Sequence, residues 1–554
     1  MDEFEATPAG GQLTRRAWLA AAASATATVT LSARAATTAS ASPSRVRVAQ
    51  GWLRGQSAGG VHRFLGIPFA QPPVGKLRWQ PPRMTLAWQG TRDATQFGSC
   101  CEQAVSTLTE LPIDRSRFAE EQLEQLRMRW GVISDMRASR SEDCLYLNVW
   151  TRTLDAGARQ PVMVWIHGGG NLRGAGSEAA YDGAAFASKG VTLVTINYRL
   201  GAFGFLAHPN LGANFGLLDQ IAALQWVQAN IESLGGNPGN VTLFGESAGA
   251  ADIRSLLACP QAKGLFHKVA LESAGFEPPA NRRNWSLERS TNATNALMQA
   301  LGGGEPDDLR QVSAQRVLTE SMKLAFVPPG PGEIPTPANL VWMPVPDGAV
   351  MLDEQLPAWS PDVPMLLGFN QNELRYFLRP QIRYTPELLR AMARAFCPGK
   401  ADDALRLLAN YGEDHHAALE ALFTAAIFSE PGVQAARRFS QLGGRNYVYH
   451  FTRISPSAGL SKKLAQHTAE IRYLFGNLND ESGDAYDEVD MRLSRLMQQA
   501  WIQFAATGAP RFPDGRPWPQ FTWPAPSVTT LGAEASTDSI PLNGLIGLLH
   551  SIRN

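Results

Sequence analysis

The segment VTLFGESAGA, residues 241–250, narrows the possible folds more than any other stretch of the chain. Residues 241–244 have the β-branched and aromatic character of a strand and lead straight to Ser247, which Gly245, Ala248 and Gly249 surround with almost no side-chain bulk. A serine held at a sharp strand-to-helix turn, in a strained backbone conformation, needs such neighbours if its hydroxyl is to stand exposed. Small residues also fill tight packing, and G-x-S-x-G arises by chance. The motif alone therefore leaves both readings standing.

The surrounding pattern supplies the context. PVMVWIHGGG (161–170) and GVTLVTINYRL (190–200) are apolar, β-rich runs. FGLLDQIAALQWVQANIESLGG (215–236) has apolar residues at helical spacing and stops at Gly235 and Gly236. VPMLLGFN (363–370) and RNYVYHF (445–451) are further strand candidates among helical patterns. Strands alternating with helices predict an α/β fold: a large central, mostly parallel sheet flanked by helices. In such sheets reactive groups gather beyond the carboxyl ends of the strands, which is where Ser247 falls. The Pro/Gly-rich stretch 327–337 suits a loop better than a linker, so residues 46–554 are expected to form a single domain.

Composition excludes several classes of partner. With 50 basic and 50 acidic residues in 554, the net charge is zero, which gives no reason to expect nucleic acid or an anionic surface. No phosphate-cradling glycine loop and no Cys/His-rich tract occurs, so neither a cofactor nor a metal is expected. The N-terminus is more informative. Arg15 and Arg16 precede an alanine-rich, weakly apolar stretch, and Ala33-Arg34-Ala35 offers a small-x-small cleavage site. Residues 1–35 resemble a twin-arginine export signal and residues 36–45 a flexible leader, implying a bacterial protein working in the periplasm or outside the cell. Thr and Ser interrupt the run, so no stretch of about 18 apolar residues is available for a membrane span.

A serine hydroxyl is a poor nucleophile at neutral pH and needs a base within hydrogen-bond reach, itself oriented by an acid. The chain has nine histidines. In α/β hydrolases the order along the chain is serine, acid, histidine, so the base should lie well downstream. His267 is expected on the helix after the serine turn, too close to serve. His415 and His416 follow Glu413 and Asp414 at a solvated helix start, with too few ligands nearby for a metal. His550 is four residues from the end, so His450 and His467 remain.

At this point a family comes into view. LGIPFAQPPVGKLRW (65–79), SEDCLYLNVW (141–150), IHGGG (166–170), NYRLGAFGF (197–205), FGESAGA (244–250), GLFHKVALESAG (264–275), HTAEIRYLFGNL (467–478) and WIQFAATGAP (501–510) together resemble the type-B carboxylesterases, which include bacterial carboxylesterases and the cholinesterases. The resemblance spans roughly residues 46–532, and ordered agreement of so many motifs does not arise by chance. It implies an α/β-hydrolase fold and hydrolysis of small-molecule carboxylic esters through an acyl-enzyme.

Carried over motif by motif, the resemblance makes Ser247 the nucleophile, His467 the general base and Glu373, in GFNQNELRYF, the acid. The backbone N–H groups of Gly169, Gly170 and Ala248 would form the oxyanion hole, each donor worth about 2.7–4 kcal/mol of transition-state stabilisation. Glu246 and Ser273 match positions beside the site, Arg78 and Glu142 a scaffold ion pair, and Cys101 and Cys144 a disulfide, with Cys100 an alternative partner for Cys144.

The sequence also departs from the family pattern. Asn237 stands where Asp is usual, so a salt bridge to Arg199 is expected to be missing; Leu374 replaces a common glycine. Asn171 follows the glycine run where an aromatic is frequent, with Arg173 two residues on. Trp130 is the sole indole between Cys101 and Cys144, which disfavours a choline-binding platform. Two other readings stay open: a catalytically silent, adhesion-type relative, which would lack a key residue, and a hydrolase of amides or lactones using the same triad.

Overall fold

The computed structural model describes residues 42–104, 139–273, 286–330, 333, 336–352, 360–377, 384–456, 463–478, 486–540 and 544–553. Among them thirteen strands form one sheet. They are β1 (Ser42–Val48), β2 (Gly51–Ala58), β3 (Val61–Pro68), β4 (Thr91–Asp93), β5 (Tyr146–Thr151), β6 (Gln160–Ile166) and β7 (Thr192–Ile196). They continue with β8 (Gly236–Glu246), β9 (Lys268–Glu272), β10 (Met365–Asn370), β11 (Asn446–Phe451), β12 (Ser527–Leu531) and β13 (Ala535–Ser539). The spatial order is β1-β2-β3-β5-β7-β6-β8-β9-β10-β11-β12-β13, with β4 beside β2.

From β7 to β12 every neighbouring pair is parallel, and the strands outside that block pair antiparallel, β4 excepted. The parallel strands read as continuous apolar runs because both of their faces are covered. Alternate residues serve opposite cores. Val162, Val164, Ile166, Val241, Leu243, Val269 and Leu271 pack on one side of the sheet. Met163, Trp165, Phe244 and Ala270 pack on the other. The helix Phe215–Asn230 covers the first side with Leu217, Ile221 and Leu224. The helix Glu488–Thr507 covers the second with Leu493, Met497, Trp501 and Phe504, one stripe at three- and four-residue spacing.

The sheet begins earlier than the sequence suggests. β1 starts at Ser42, inside the stretch read as a leader, and pairs with β2 from Ser42↔Ser57 onward. Residues 1–35, with the twin-arginine motif, lie outside the described residues, as does Trp130. No helix among the described residues is long and apolar enough to cross a membrane.

The parallel strands bring their carboxyl ends into line. Ile166 of β6 pairs with Gly245 of β8, and Glu246 of β8 with Glu272 of β9. The segments that leave these ends build the site.

Candidate active site

Ser247 joins β8 to the helix Ala248–Leu256 with φ 57° and ψ −123°, outside the regions that a residue with a side chain prefers. Holding it there costs about 1–3 kcal/mol. The surroundings determine the turn: the Ser247 N–H donates to the Glu272 carbonyl at 2.9 Å. The small neighbours also have a cause. A Cβ on Gly245 would lie 2.6 Å from the Ile166 carbonyl oxygen and 3.1 Å from Ile253 Cδ1. A Cβ on Gly249 would lie 2.6 Å from the His167 carbonyl oxygen and closer still to that of Ile166. The serine turn is thus packed backbone to backbone on the end of β6, where the glycine run begins.

The three side chains implied by the resemblance meet in one line. His467 Nε2 lies 2.9 Å from Ser247 Oγ, and His467 Nδ1 lies 2.7 Å from Glu373 Oε2. The other carboxylate oxygen of Glu373 accepts from the Ser273 hydroxyl at 2.6 Å and from the Asn370 N–H at 2.7 Å. The loop carrying His467 is tied to the acid's own segment. Asn372 N–H donates to the Ala465 carbonyl at 2.9 Å, and Asn370 Nδ2 to that of Gln466 at 2.8 Å. Phe377 and Phe428 pack on the imidazole, with ring centroids at 5.2 and 5.0 Å. Phe428 comes from a π-helical stretch, Thr424–Ser429, and such bulges in helices often accompany functional sites.

Glu246 lies close as well, its Oε1 3.0 Å from His467 Nε2. Buried with it are Glu272, which accepts from Trp501 Nε1 at 2.9 Å, and Glu470, which accepts from Asn370 Nδ2. Burial pushes all three carboxyls well above the usual range, and the negative neighbours add to the rise. Neither Glu272 nor Glu470 was singled out from the sequence. Each sits within three residues of a site residue, in LESAG and HTAE, which was the available signal.

In the glycine run beside Ser247, Gly169 and Gly170 adopt φ of 102° and 66°, and a Cβ on Gly168 would lie 2.7 Å from the Glu246 carbonyl oxygen. Ala248 opens its helix, so its N–H is among the four without an intrahelical acceptor. Asn171 turns inward and is fully buried. Its Nδ2 donates to Asp252 Oδ1 at 2.9 Å, and its Oδ1 lies 3.1 Å from the Tyr198 hydroxyl. Burial raises Asp252 to about 7 against the lowering effect of its hydrogen bonds from Asn171 and Gln220.

Other expectations fare differently. His267 precedes β9 instead of riding the helix after Ser247; that helix ends at Leu256, and His267 Nδ1 accepts from Val241 N–H at 3.1 Å. His450 lies on β11 against Phe369, its imidazole pushed down to about 4 by burial. Arg199 does not lack a partner: its guanidinium grips Asp219 through two 2.8 Å bonds, while Asn237 accepts from Arg159 at 2.7 Å. Leu374 is buried, and Arg78 pairs with Glu142 through both carboxylate oxygens at 2.6 and 2.5 Å. Cys101 bonds to Cys144, leaving Cys100 as a buried thiol.

A serine at a left-handed turn after a central parallel strand, facing histidine and glutamate from later loops, belongs to the α/β-hydrolase class of folds. The comparisons agree with that class. A family model described as the carboxylesterase family matches residues 42–543. Fumonisin B1 esterase of Sphingopyxis macrogoltabida is 34% identical over 485 residues, covering 84% of this chain and 82% of that one. Para-nitrobenzyl esterase of Bacillus subtilis (strain 168) is 33% identical over 518 residues, covering 90% and 96%. Among solved structures, a thermophilic para-nitrobenzyl esterase superposes with a TM-score of 0.75 at 30% identity, covering 91% of this chain and 99% of that one. The chain belongs to the carboxylesterase family and is a carboxylic-ester hydrolase.

Proposed function

We propose that the protein is an exported serine carboxylesterase that works through an acyl-enzyme, with Ser247 as nucleophile, His467 as general base and acid, and Glu373 as the orienting carboxylate. The observation that carries this reading is the line Glu373–His467–Ser247, at 2.7 and 2.9 Å, ending on a serine with φ 57°. His467 Nε2 takes the proton of Ser247 Oγ as that oxygen attacks the ester carbonyl. The oxyanion is received by the N–H groups of Gly169, Gly170 and Ala248, fixed in advance by backbone packing. His467 then returns the proton to the departing alcohol, and a water molecule repeats the sequence to release the acid. Glu246 and Ser273 support the imidazole and the carboxylate from either side.

Export is supported by the Arg15-Arg16 motif and the alanine-rich run after it. Replacing both arginines with lysine should retain the protein in the cytoplasm; unchanged periplasmic activity would refute the signal. The catalytic reading is tested with the purified protein against p-nitrophenyl esters of rising chain length, together with matched amides and lactones. Ser247→Ala should lose several orders of magnitude in turnover, and an organophosphate should label Ser247 alone. Mass spectrometry finding the label on another serine overturns the assignment. A wild type inert to the whole panel would favour the adhesion-type reading.

A further inference from the structure

The three glycines at 168–170 are well suited to letting a backbone approach a substrate and poorly suited to holding it still, since glycine has the most conformational freedom to lose. Something must therefore fix the loop relative to the serine helix. The residues beneath it do so with side chains that the mechanism above does not use.

Asn171 directly follows the glycines, is fully buried, and has φ 56°, a left-handed conformation that asparagine tolerates. Its carbonyl accepts from the Gly201 N–H at 2.6 Å. Its amide reaches Asp252 Oδ1 at 2.9 Å, and Asp252, also fully buried, lies in the helix that Ala248 opens. The second oxygen of Asp252 accepts from Gln220 Nε2 at 2.6 Å, so each oxygen has one amide donor. The Tyr198 hydroxyl lies 2.7 Å from the His167 carbonyl oxygen and 3.1 Å from Asn171 Oδ1, and its ring stacks on His167 with centroids 4.5 Å apart. The chain of contacts runs from the loop bearing Gly169 and Gly170 to the helix bearing Ala248.

We infer that Asn171 and Asp252 form a buried strut that sets the spacing between the two halves of the oxyanion hole, and that they are positioning residues for ester hydrolysis. The inference rests on the reading of Ser247 as nucleophile and of those three N–H groups as its oxyanion donors. Donors must lie within about 2.7–3.1 Å of the developing oxyanion, and a misplacement of about 1 Å can cost a hundredfold in rate. A link between the two donor-bearing elements acts on this distance while leaving the binding of the rest of the substrate alone.

The test follows kcat and KM for p-nitrophenyl butyrate, the inhibition constant of an alkyl trifluoromethyl ketone, which presents an oxyanion when bound to the serine, and the melting temperature. Asn171→Ala and Asp252→Ala should each lower kcat by about 10- to 100-fold with KM within about threefold, and weaken the ketone by the same factor as kcat. The double variant should be little worse than either single one, because one strut is lost in all three. Asp252→Asn should recover most of what Asp252→Ala loses, since it offers Asn171 the same acceptor oxygen. Should the alanine variants not fold, the pair is exchanged. Asn171→Asp sets two carboxyls face to face, and adding Asp252→Asn should restore ketone affinity by returning one donor and one acceptor. Unchanged kcat in Asn171→Ala, retained ketone affinity despite a lower melting temperature, additive losses in the double variant, or no recovery in the exchanged pair would each overturn the strut. A wild type without Ser247-dependent esterase activity would overturn the underlying reading, and the strut with it.

Discussion

Glu373→Gln asks whether the carboxylate on His467 sets the imidazole tautomer. The structure dictates how glutamine would sit. Two donors, the Ser273 hydroxyl at 2.6 Å and the Asn370 N–H at 2.7 Å, point at one carboxylate oxygen. The amide oxygen of glutamine must take that place, and its NH2 group must then take the position 2.7 Å from His467 Nδ1. An NH2 group there can only donate, so Nδ1 becomes the acceptor and the ring proton moves to Nε2, the nitrogen 2.9 Å from Ser247 Oγ. A protonated Nε2 cannot take the serine's proton. Replacing a triad carboxylate by its amide costs about 10⁴-fold in kcat, or about 5.4 kcal/mol at 1.36 kcal/mol per tenfold. Size and shape are kept, so the melting temperature should move little. The assay is steady-state turnover of a p-nitrophenyl ester beside a thermal melt, with Glu413→Gln, an exposed carboxylate, as the matched control. If Glu373→Gln kept more than a tenth of wild-type turnover, the tautomer argument would fail and the acid would have to be sought elsewhere.

Other consequences can be checked as directly. Gly249→Ala drives a Cβ into the Ile166 and His167 carbonyls; it should cost about 1–3 kcal/mol of stability and about a hundredfold in kcat, and wild-type values for both would refute the packing account of the serine turn. The Cys101–Cys144 bond closes a separation of 43 residues, which in the chain-entropy model is worth about 4 kcal/mol. Non-reducing peptide mapping should find that pair, and finding Cys144 free or joined to Cys100 would contradict it. Asp252 is raised by burial from 3.8 to about 7. The unfolded chain therefore releases this proton first, and the group's contribution to stability falls as pH rises from about 4 to about 7. Asp252→Asn removes the titration, so its melting temperature relative to wild type should be more favourable at pH 7.5 than at pH 4.5; an equal difference at both would refute the shift.

What could be read from the sequence followed the range of the physics involved. Strands β6 to β8, the helix Phe215–Asn230 and the serine turn are local, and periodicity together with the glycines at 245 and 249 specify them. The proposed acid and base are not local. His467 lies 94 residues from Glu373 and 220 from Ser247 along the chain, and only the sheet brings them together, so residue chemistry alone left His450 and His467 open. Asn237 at a familiar partner position predicts that one salt bridge to Arg199 is missing, and the guanidinium pairs with Asp219 instead. Asp219, which takes the pairing, carries no local signal beyond being an acid in a helix. Asp252, Glu272 and Glu470 are likewise ordinary acids in the sequence, and their burial is a property of the packing at the carboxyl ends of the central strands. Phe428 reaches His467 from a π-helical stretch that apolar periodicity does not distinguish from an α-helix.

The buried acids raise a question of charge that the geometry answers. Four carboxyls, Glu246, Glu272, Glu373 and Glu470, gather within one poorly solvated region, and like charges in such a region cannot all be ionised. Three of them, Glu246, Glu272 and Glu470, are pushed upward, first by burial and then by one another or by Glu373. Glu373 differs in its partners. It accepts from the Ser273 hydroxyl and the Asn370 N–H, and its other oxygen faces the His467 imidazole. The contrast matters most for Glu246, whose Oε1 lies 3.0 Å from the same nitrogen that faces Ser247. An ionised Glu246 would bind the imidazolium proton at Nε2 and compete with its delivery to the departing alcohol. Burial and its acidic neighbours push the Glu246 carboxyl well above the usual range, which disfavours a charge at that position. In the proposed mechanism, a carboxyl beside Nε2 that resists ionisation leaves the proton on that nitrogen available to the departing alcohol.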